Sequence, residues 1–309
     1  MKKFFTKIFI FSGIVVIVLI AGLLLPATPK VSHSILFASL HKDSLLLYER
    51  EPRLILVGGS NLSFGINSQM LKDSLQMNPI NTSVIGTLGI EYMLKNTQQY
   101  IKKGDIIVFV PEYPYFFNQD NQGSVELLRT LFDVGMPKYK LISPIQYCRM
   151  LQYVPKLALS RFDLMEYIRV QEDEIYSVNS FNYYGDTYTH WGKERVKFDA
   201  WPHINLKDYN PAFIESIIDF CKTAEAKGAT VFISFPAEQD LSYYASEDAA
   251  KMVAMAFYDS GLKVIGTPER YVFPDSMMFN TPYHLNKQGV DLRTERLIED
   301  LRETLGKSN

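Results

Sequence analysis

The sequence predicts an α/β domain, a parallel sheet covered by helices on both faces, carried behind one N-terminal membrane-spanning helix. Three observations predict it. Short apolar runs ended by glycine or polar turns alternate with segments of helical spacing, as in strands joined by helical crossovers. The strand candidates are apolar almost throughout, as strands buried on both faces are. An uncharged run near the N-terminus is long enough to cross a bilayer.

That run, IFIFSGIVVIVLIAGLLL at residues 8–25, follows Lys2, Lys3 and Lys7. As a helix it is roughly 27 Å long, close to the hydrocarbon thickness of a membrane. A cleaved signal peptide has an apolar core of about 7–15 residues and a small-residue cleavage site. Leu23-Leu24-Leu25-Pro26 offers no such site. Residues 1–7 are therefore expected to be a cytoplasmic tail and 8–25 a retained transmembrane helix. By the positive-inside rule, everything after Pro26 is expected to be extracytoplasmic. Residues 26–50 read as a stalk and an amphipathic lead-in helix, and 51–309 as the α/β domain.

Within that domain the first strand is 53–57, ended by Gly58-Gly59. A second, 80–85, stops at Gly86, and residues 89–100 have helical spacing with Tyr92, Met93 and Leu94. The turn Lys102-Lys103-Gly104-Asp105 leads into the third strand, 106–110. Later come a helix at 211–227 stopped by Gly228, a strand at 230–235, a helix at 246–260, a short fifth strand at 263–265 and a last helix at 286–305. Between them, about 119–210 breaks the alternation. It reads as an insertion over one end of the sheet, with helical segments at 125–132 and 143–159, and such insertions commonly build substrate-facing surface. The aromatic group Tyr113, Tyr115, Phe116 and Phe117 is expected to pack the core beneath it. His190-Trp191 and Trp201 are expected in ordinary turns, Arg293 and Arg296 in surface pairs.

Composition excludes some functions. A net charge of −2 with no basic block implies neither nucleic acid nor an anionic surface as partner. Cys148 and Cys221 are the only cysteines, too few for a disulfide framework; they either pair or remain free thiols. No metal-binding spacing occurs, and no metal or cofactor is expected.

Ser60 is placed where a nucleophile is useful. It follows the first strand in Val57-Gly58-Gly59-Ser60-Asn61, and open α/β sheets bind ligands beyond the carboxyl ends of their strands. Helix capping is the alternative use of a serine there. His284, in Tyr283-His284-Leu285-Asn286, stands in the loop before the last helix and would emerge from the same edge of the sheet. Glu112 at the end of the third strand would be costly to bury without a partner.

The segments GGSNLSFG and YHLNKQG resemble the first and last blocks of the SGNH/GDSL hydrolase superfamily, over an order of elements running from about Arg53 to Leu305. The resemblance implies a flavodoxin-like, SGNH-type sheet and a serine esterase or O-acyltransferase with Ser60 and His284 as catalytic residues. It implies an oxyanion hole from Ser60 with Gly86 or Gly89; Asn61, next to Ser60, is a further candidate residue of the site. Anchor plus extracytoplasmic domain is similar to the tethered members that work with membrane-bound O-acyltransferases on envelope polymers. Expected partners are thus the bilayer, an acylated glycan or other ester, and such an acyltransferase. The sequence departs from the family at Gly59, where an aspartate is usual, and at Pro111-Glu112-Tyr113, where an asparagine block is usual. The acid that orients the histidine belongs at Thr281, with uncharged Asn280 one place earlier; Asp275, Glu112 and Asp186 are the carboxylates left to replace it, and a Ser–His dyad oriented by a backbone carbonyl is the alternative. The missing acid leaves open a non-catalytic glycan-binding or assembly subunit of the same fold; a third reading, an unrelated flavodoxin-like domain, requires the placement of Ser60 and His284 to be coincidence.

Overall fold

A computed structural model describes residues 1–117, 123–168, 170 and 172–306. Position 119, where the insertion is expected to begin, lies outside them. The first helix, Lys2–Leu24, takes in most of the expected tail, including all three lysines. Its mean hydropathy reaches 2.7 and almost none of it is buried. It is long and apolar enough to span a membrane. A second helix, Ala38–Tyr48, leads into the domain.

The sheet is parallel, with β1 (Arg53–Gly58), β2 (Asn78–Asn81), β3 (Ile106–Val110) and β4 (Thr230–Ile233) in the order β2-β1-β3-β4. The expected fifth strand is reduced to one parallel bridge between Ile233 and Val264. Ile233 N–H donates to Lys263 O at 2.8 Å and Ile265 N–H to Ile233 O at 2.9 Å. Gly266, with φ of 70°, turns the chain away immediately afterwards.

Alternate residues of each strand enter different cores, as a period of two requires. Ile55, Val57, Ile107, Phe109, Val231 and Ile233 share one cluster with residues of the helices Ile90–Gln98, Ala212–Ala226 and Glu247–Asp259. Leu54, Leu56, Val108, Val110 and Phe232 share the other with the helices Ser68–Leu75 and Lys287–Leu305. Truncating one of these side chains, Ile107→Ala for instance, costs about 2–5 kcal/mol through lost burial and the cavity left behind. A third cluster joins Phe64, Val84 and Leu88, beyond the carboxyl ends of β1 and β2, to Leu127, Leu131, Met150 and Leu157 of the insertion.

Two buried polar knots fix the frame. Arg53 and Asp105 are fully buried; Arg53 Nε donates to Asp105 Oδ1 at 2.7 Å and Nη1 to Leu46 O at 2.6 Å. Lys42 Nζ donates to the carbonyls of Asn81, Ser83 and Gly185 at 3.0, 2.6 and 2.5 Å, and burial pulls its pKa down to about 7. These contacts, with Asn81 N–H donating to Tyr184 O at 2.9 Å, draw the chain off the sheet, so β2 ends well before the predicted residue 85.

Other elements also differ from expectation. The predicted helix at 125–132 runs from Val125 to Arg129 and then widens into a π turn, Thr130–Val134. The one at 143–159 divides into Pro144–Met150, capped by Ser143, and Val154–Ser160, whose first turn holds Pro155; a proline lacks the N–H that a continuous helix needs. Arg293 is not a surface residue. It is buried against Tyr271, and burial lowers its pKa to about 10. Arg296, partly buried, donates from Nη1 to the carbonyls of Arg270 and Val272. Cys148 and Cys221 are unpaired.

Candidate active site

Strand order places the site. Crossovers leave β1 toward β2 on one side, while β3 lies on the other, so the carboxyl ends of β1 and β3 flank the point where the connections diverge. Crevices at such points bind ligands in open α/β sheets. Ser60 follows β1 and opens the single turn Ser60–Ser63; Glu112 follows β3.

Glu112 lies between two glycines. A Cβ on Gly59 would come within 2.5 Å of Glu112 Oε1, and one on Gly86 within 2.8 Å of Oε2. A Cβ at either position would press on both the Glu112 carboxyl and the Tyr115 hydroxyl. Asn61 N–H donates to Glu112 Oε1 at 3.0 Å. Burial raises the Glu112 pKa above the usual carboxylate value, and hydrogen bonds from Asn61, Tyr115 and Ser60 draw it partway back. Ser60 thus lies beside Glu112. A second buried acid, Glu238, is pushed up to about 8 by burial and by the charge of Glu112, against a hydrogen bond from Tyr283.

His284 belongs to the hairpin Met278–Thr281 with His284–Leu285. Its ring stacks on Phe64, with centroids 4.1 Å apart and planes within 8°. Phe64 N–H donates to Ser60 O at 2.8 Å, so one helical turn links the serine to the residue carrying the imidazole. Asn280 Nδ2 donates to the Tyr176 hydroxyl at 2.7 Å. With the amide placed so, Oδ1 lies 2.9 Å from His284 Nδ1, and the Tyr176 hydroxyl lies 3.4 Å from the same nitrogen. In that placement the amide oxygen accepts, so Nδ1 carries the proton and Nε2 the lone pair. Burial and the neighbouring His190 lower the His284 pKa to about 3.

The remaining sequence candidates divide clearly. Asn61 is fully buried and ties three segments together. Its Nδ2 donates to Ala237 O at 2.6 Å and to Tyr283 O at 3.4 Å, and its Oδ1 accepts from Ala237 N–H at 3.2 Å. Thr281 Oγ1 accepts from the backbone N–H of Tyr283 and His284, both at 3.2 Å, and so closes the hairpin turn. Asp275 pairs with Arg195 and accepts from Gln239 at 2.5 Å. Asp186 accepts from Ser68 Oγ at 2.7 Å and Asn81 Nδ2 at 2.9 Å. The group on His284 Nδ1 is therefore Asn280, not one of these carboxylates. Gly89 N–H donates to Gly86 O at 3.0 Å inside its own turn, whereas Gly86 faces Glu112.

Phe64, Tyr176, His190 and Glu238 are site residues that sequence reasoning missed. His190 Nε2 meets Leu285 O at 3.1 Å and its ring packs between Phe64 and Phe279, bracing the strand that carries His284. Phe64 stands within GGSNLSFG and was visible there. Tyr176 is one of many tyrosines in the insertion, with no spacing to single it out. Trp201 packs edge-on against Tyr283 at 4.6 Å, and the aromatic group after β3 is buried as expected. An open groove lined by Arg195, Lys197, Phe198 and Gln239 adjoins the His284 loop, where Gln239 N–H donates to Pro282 O at 2.9 Å. Among the described residues, no group of three or more His, Cys, Asp or Glu is placed to hold a metal ion.

Comparison of the chain with protein-family models, with curated proteins and with solved structures finds no match.

Proposed function

We propose that the chain is a membrane-anchored, extracytoplasmic serine esterase or O-acyltransferase of SGNH type, acting on acylated envelope glycans through Ser60 and His284. The observation that carries the proposal is the oriented imidazole of His284, its Nδ1 proton held by Asn280, packed on the helical turn that Ser60 opens. The flavodoxin-like strand order, read with the single bridge at Val264 as its fifth position, supports the fold assignment.

In this mechanism the Ser60 hydroxyl turns from Glu112 toward His284 Nε2. Ser60 Oγ attacks the ester carbonyl while Nε2 takes its proton. The tetrahedral intermediate expels the alcohol, which takes that proton back, and leaves an acyl group on Ser60. Water then gives an esterase, or a glycan hydroxyl a transferase, by the reverse sequence; a membrane-bound O-acyltransferase is the proposed supplier of acyl groups in the second case. Glu112 stands where the family has its asparagine. Burial raises its pKa, and in its neutral form the Glu112 carboxylic acid would donate a hydrogen bond to the oxyanion. With the Ser60 and Gly86 amides it would complete the hole, each donor contributing about 3 kcal/mol.

A second reading, a non-catalytic binding or assembly subunit for a membrane partner, is favoured by one observation: the group on His284 is an uncharged amide. Turnover of 4-nitrophenyl acetate by the full chain in detergent separates the two. Loss of turnover in both Ser60→Ala and His284→Ala supports the enzyme. Turnover that is absent, or unchanged in the variants, with the fold intact supports the subunit.

A further inference from the structure

The insertion exposes large apolar side chains in close succession. Leu151, Leu164 and Ile168 are 65, 70 and 73% exposed, and Leu159, Phe162 and Met165 are exposed by half or more. The segment is nonetheless firmly held. Leu157 and Ala158 are buried, and Arg161 is buried in a pair with Asp133. An apolar surface on a fixed frame calls for an apolar partner.

Contacts with the first helix say which partner. Gly22, in its last turn, packs backbone to backbone on Ala158, where a Cβ would lie 2.3 Å from the carbonyl oxygen. Leu23 enters the cluster that holds Leu157. Just past the helix, Thr28 Oγ1 and Lys30 Nζ donate to Glu166, at 3.1 and 3.2 Å. The segment from Val154 to Ile168 is thereby registered on the end of Lys2–Leu24. Gly22 is two residues from that end, about 3 Å of helix rise. If the helix spans a bilayer, this segment sits at the membrane–water boundary.

We infer that residues 151–168 form a second, monotopic membrane contact, seated in the leaflet beside the end of the spanning helix. This inference rests on the anchor reading above. Surface-lying apolar segments seat about 5–10 Å into the boundary between headgroups and acyl chains, and exposed Leu159, Phe162, Leu164 and Ile168 are the side chains that would enter it. Exposed Tyr167 and Lys156 are residue types that settle at headgroup level. The contact also places the site. Ile168 and Tyr176 are eight positions apart, so Tyr176, which contacts Asn280, stands at most about 29 Å along the chain from the lipid. The substrate class this favours is an acylated glycan still linked to lipid or lying on the membrane.

The test places bimane labels on the full chain in nanodiscs, with Cys148→Ser and Cys221→Ala removing the native thiols. Leu164→Cys reports the proposed contact, Ile14→Cys the spanning helix and Tyr258→Cys an aqueous face. Lipids doxyl-labelled near the headgroup are expected to quench the label at 164 at least twofold more than that at 258, and iodide to quench it less. Equal behaviour at 164 and 258, with the label at 14 quenched by lipid, overturns the second contact and leaves the anchor standing. No quenching at 14 by lipids doxyl-labelled deep in the acyl chain overturns both.

Discussion

Asn280→Asp should turn a histidine oriented by an uncharged amide into one supported by a carboxylate. The substitution keeps the side-chain shape and puts a carboxylate oxygen 2.9 Å from His284 Nδ1. Charge centres about 3.5 Å apart at an effective dielectric near 20 attract by about 5 kcal/mol. Desolvating the new carboxylate offsets several kcal/mol of that. The Tyr176 hydroxyl, which now accepts from Asn280 Nδ2 at 2.7 Å, can rotate to donate to it. A net gain of about 1–3 kcal/mol for the imidazolium is a rise of roughly 1–2 pKa units, starting from about 3. Because the imidazolium forms as Ser60 attacks, kcat should rise about 10- to 100-fold. Titration of the His284 ring by NMR and hydrolysis of 4-nitrophenyl acetate read the two effects. An unchanged titration, or a rate that falls in a folded variant, would refute the orienting role given to Asn280.

Other perturbations test other parts. Glu112→Ala should lower kcat by about 10²–10³, while Glu112→Gln, which still donates, should retain most of it. Only the neutral acid donates, so kcat/KM should decline as pH rises through the raised Glu112 pKa, and Glu112→Gln should abolish that limb. Folding depresses His284 to about 3 and His190 to about 4. The unfolded chain therefore binds protons first below about pH 6.5, and stability should drop by several kcal/mol between pH 6.5 and 4; urea midpoints across that range check the sign. Asp105→Ala strands the Arg53 guanidinium, fully buried with it. It should cost about 3–5 kcal/mol in unfolding free energy, whereas replacing both partners with apolar residues should cost less.

The sheet was legible because its strands are nearly uniform in character. Residues 106–110 read as a strand and form one, and Gly228, with φ of 83°, ends its helix where expected. What escaped was set by contacts distant in sequence. Nothing near Ile85 reveals that Lys42 and Tyr184 pull the chain from the sheet at Asn81, and a helical period alone does not show that Arg293 turns inward. At the site, Ser60 and His284 were readable as loop residues at element boundaries. The partner of His284 was readable only as a choice among Asn280, Thr281, three carboxylates and a backbone carbonyl, since hairpin geometry decides it. Glu112 was noticed for its cost of burial, but its place between Gly59 and Gly86 depends on two loops meeting.

The central claim is that Ser60 is an activated nucleophile, and covalent labelling by a fluorophosphonate tests it most directly. The full chain in detergent should gain one adduct, mapped by peptide mass spectrometry to Ser60, and lose it in both Ser60→Ala and His284→Ala. A folded protein that takes no label, or takes it equally with His284→Ala, would contradict the claim and turn the search to binding partners of a non-catalytic subunit.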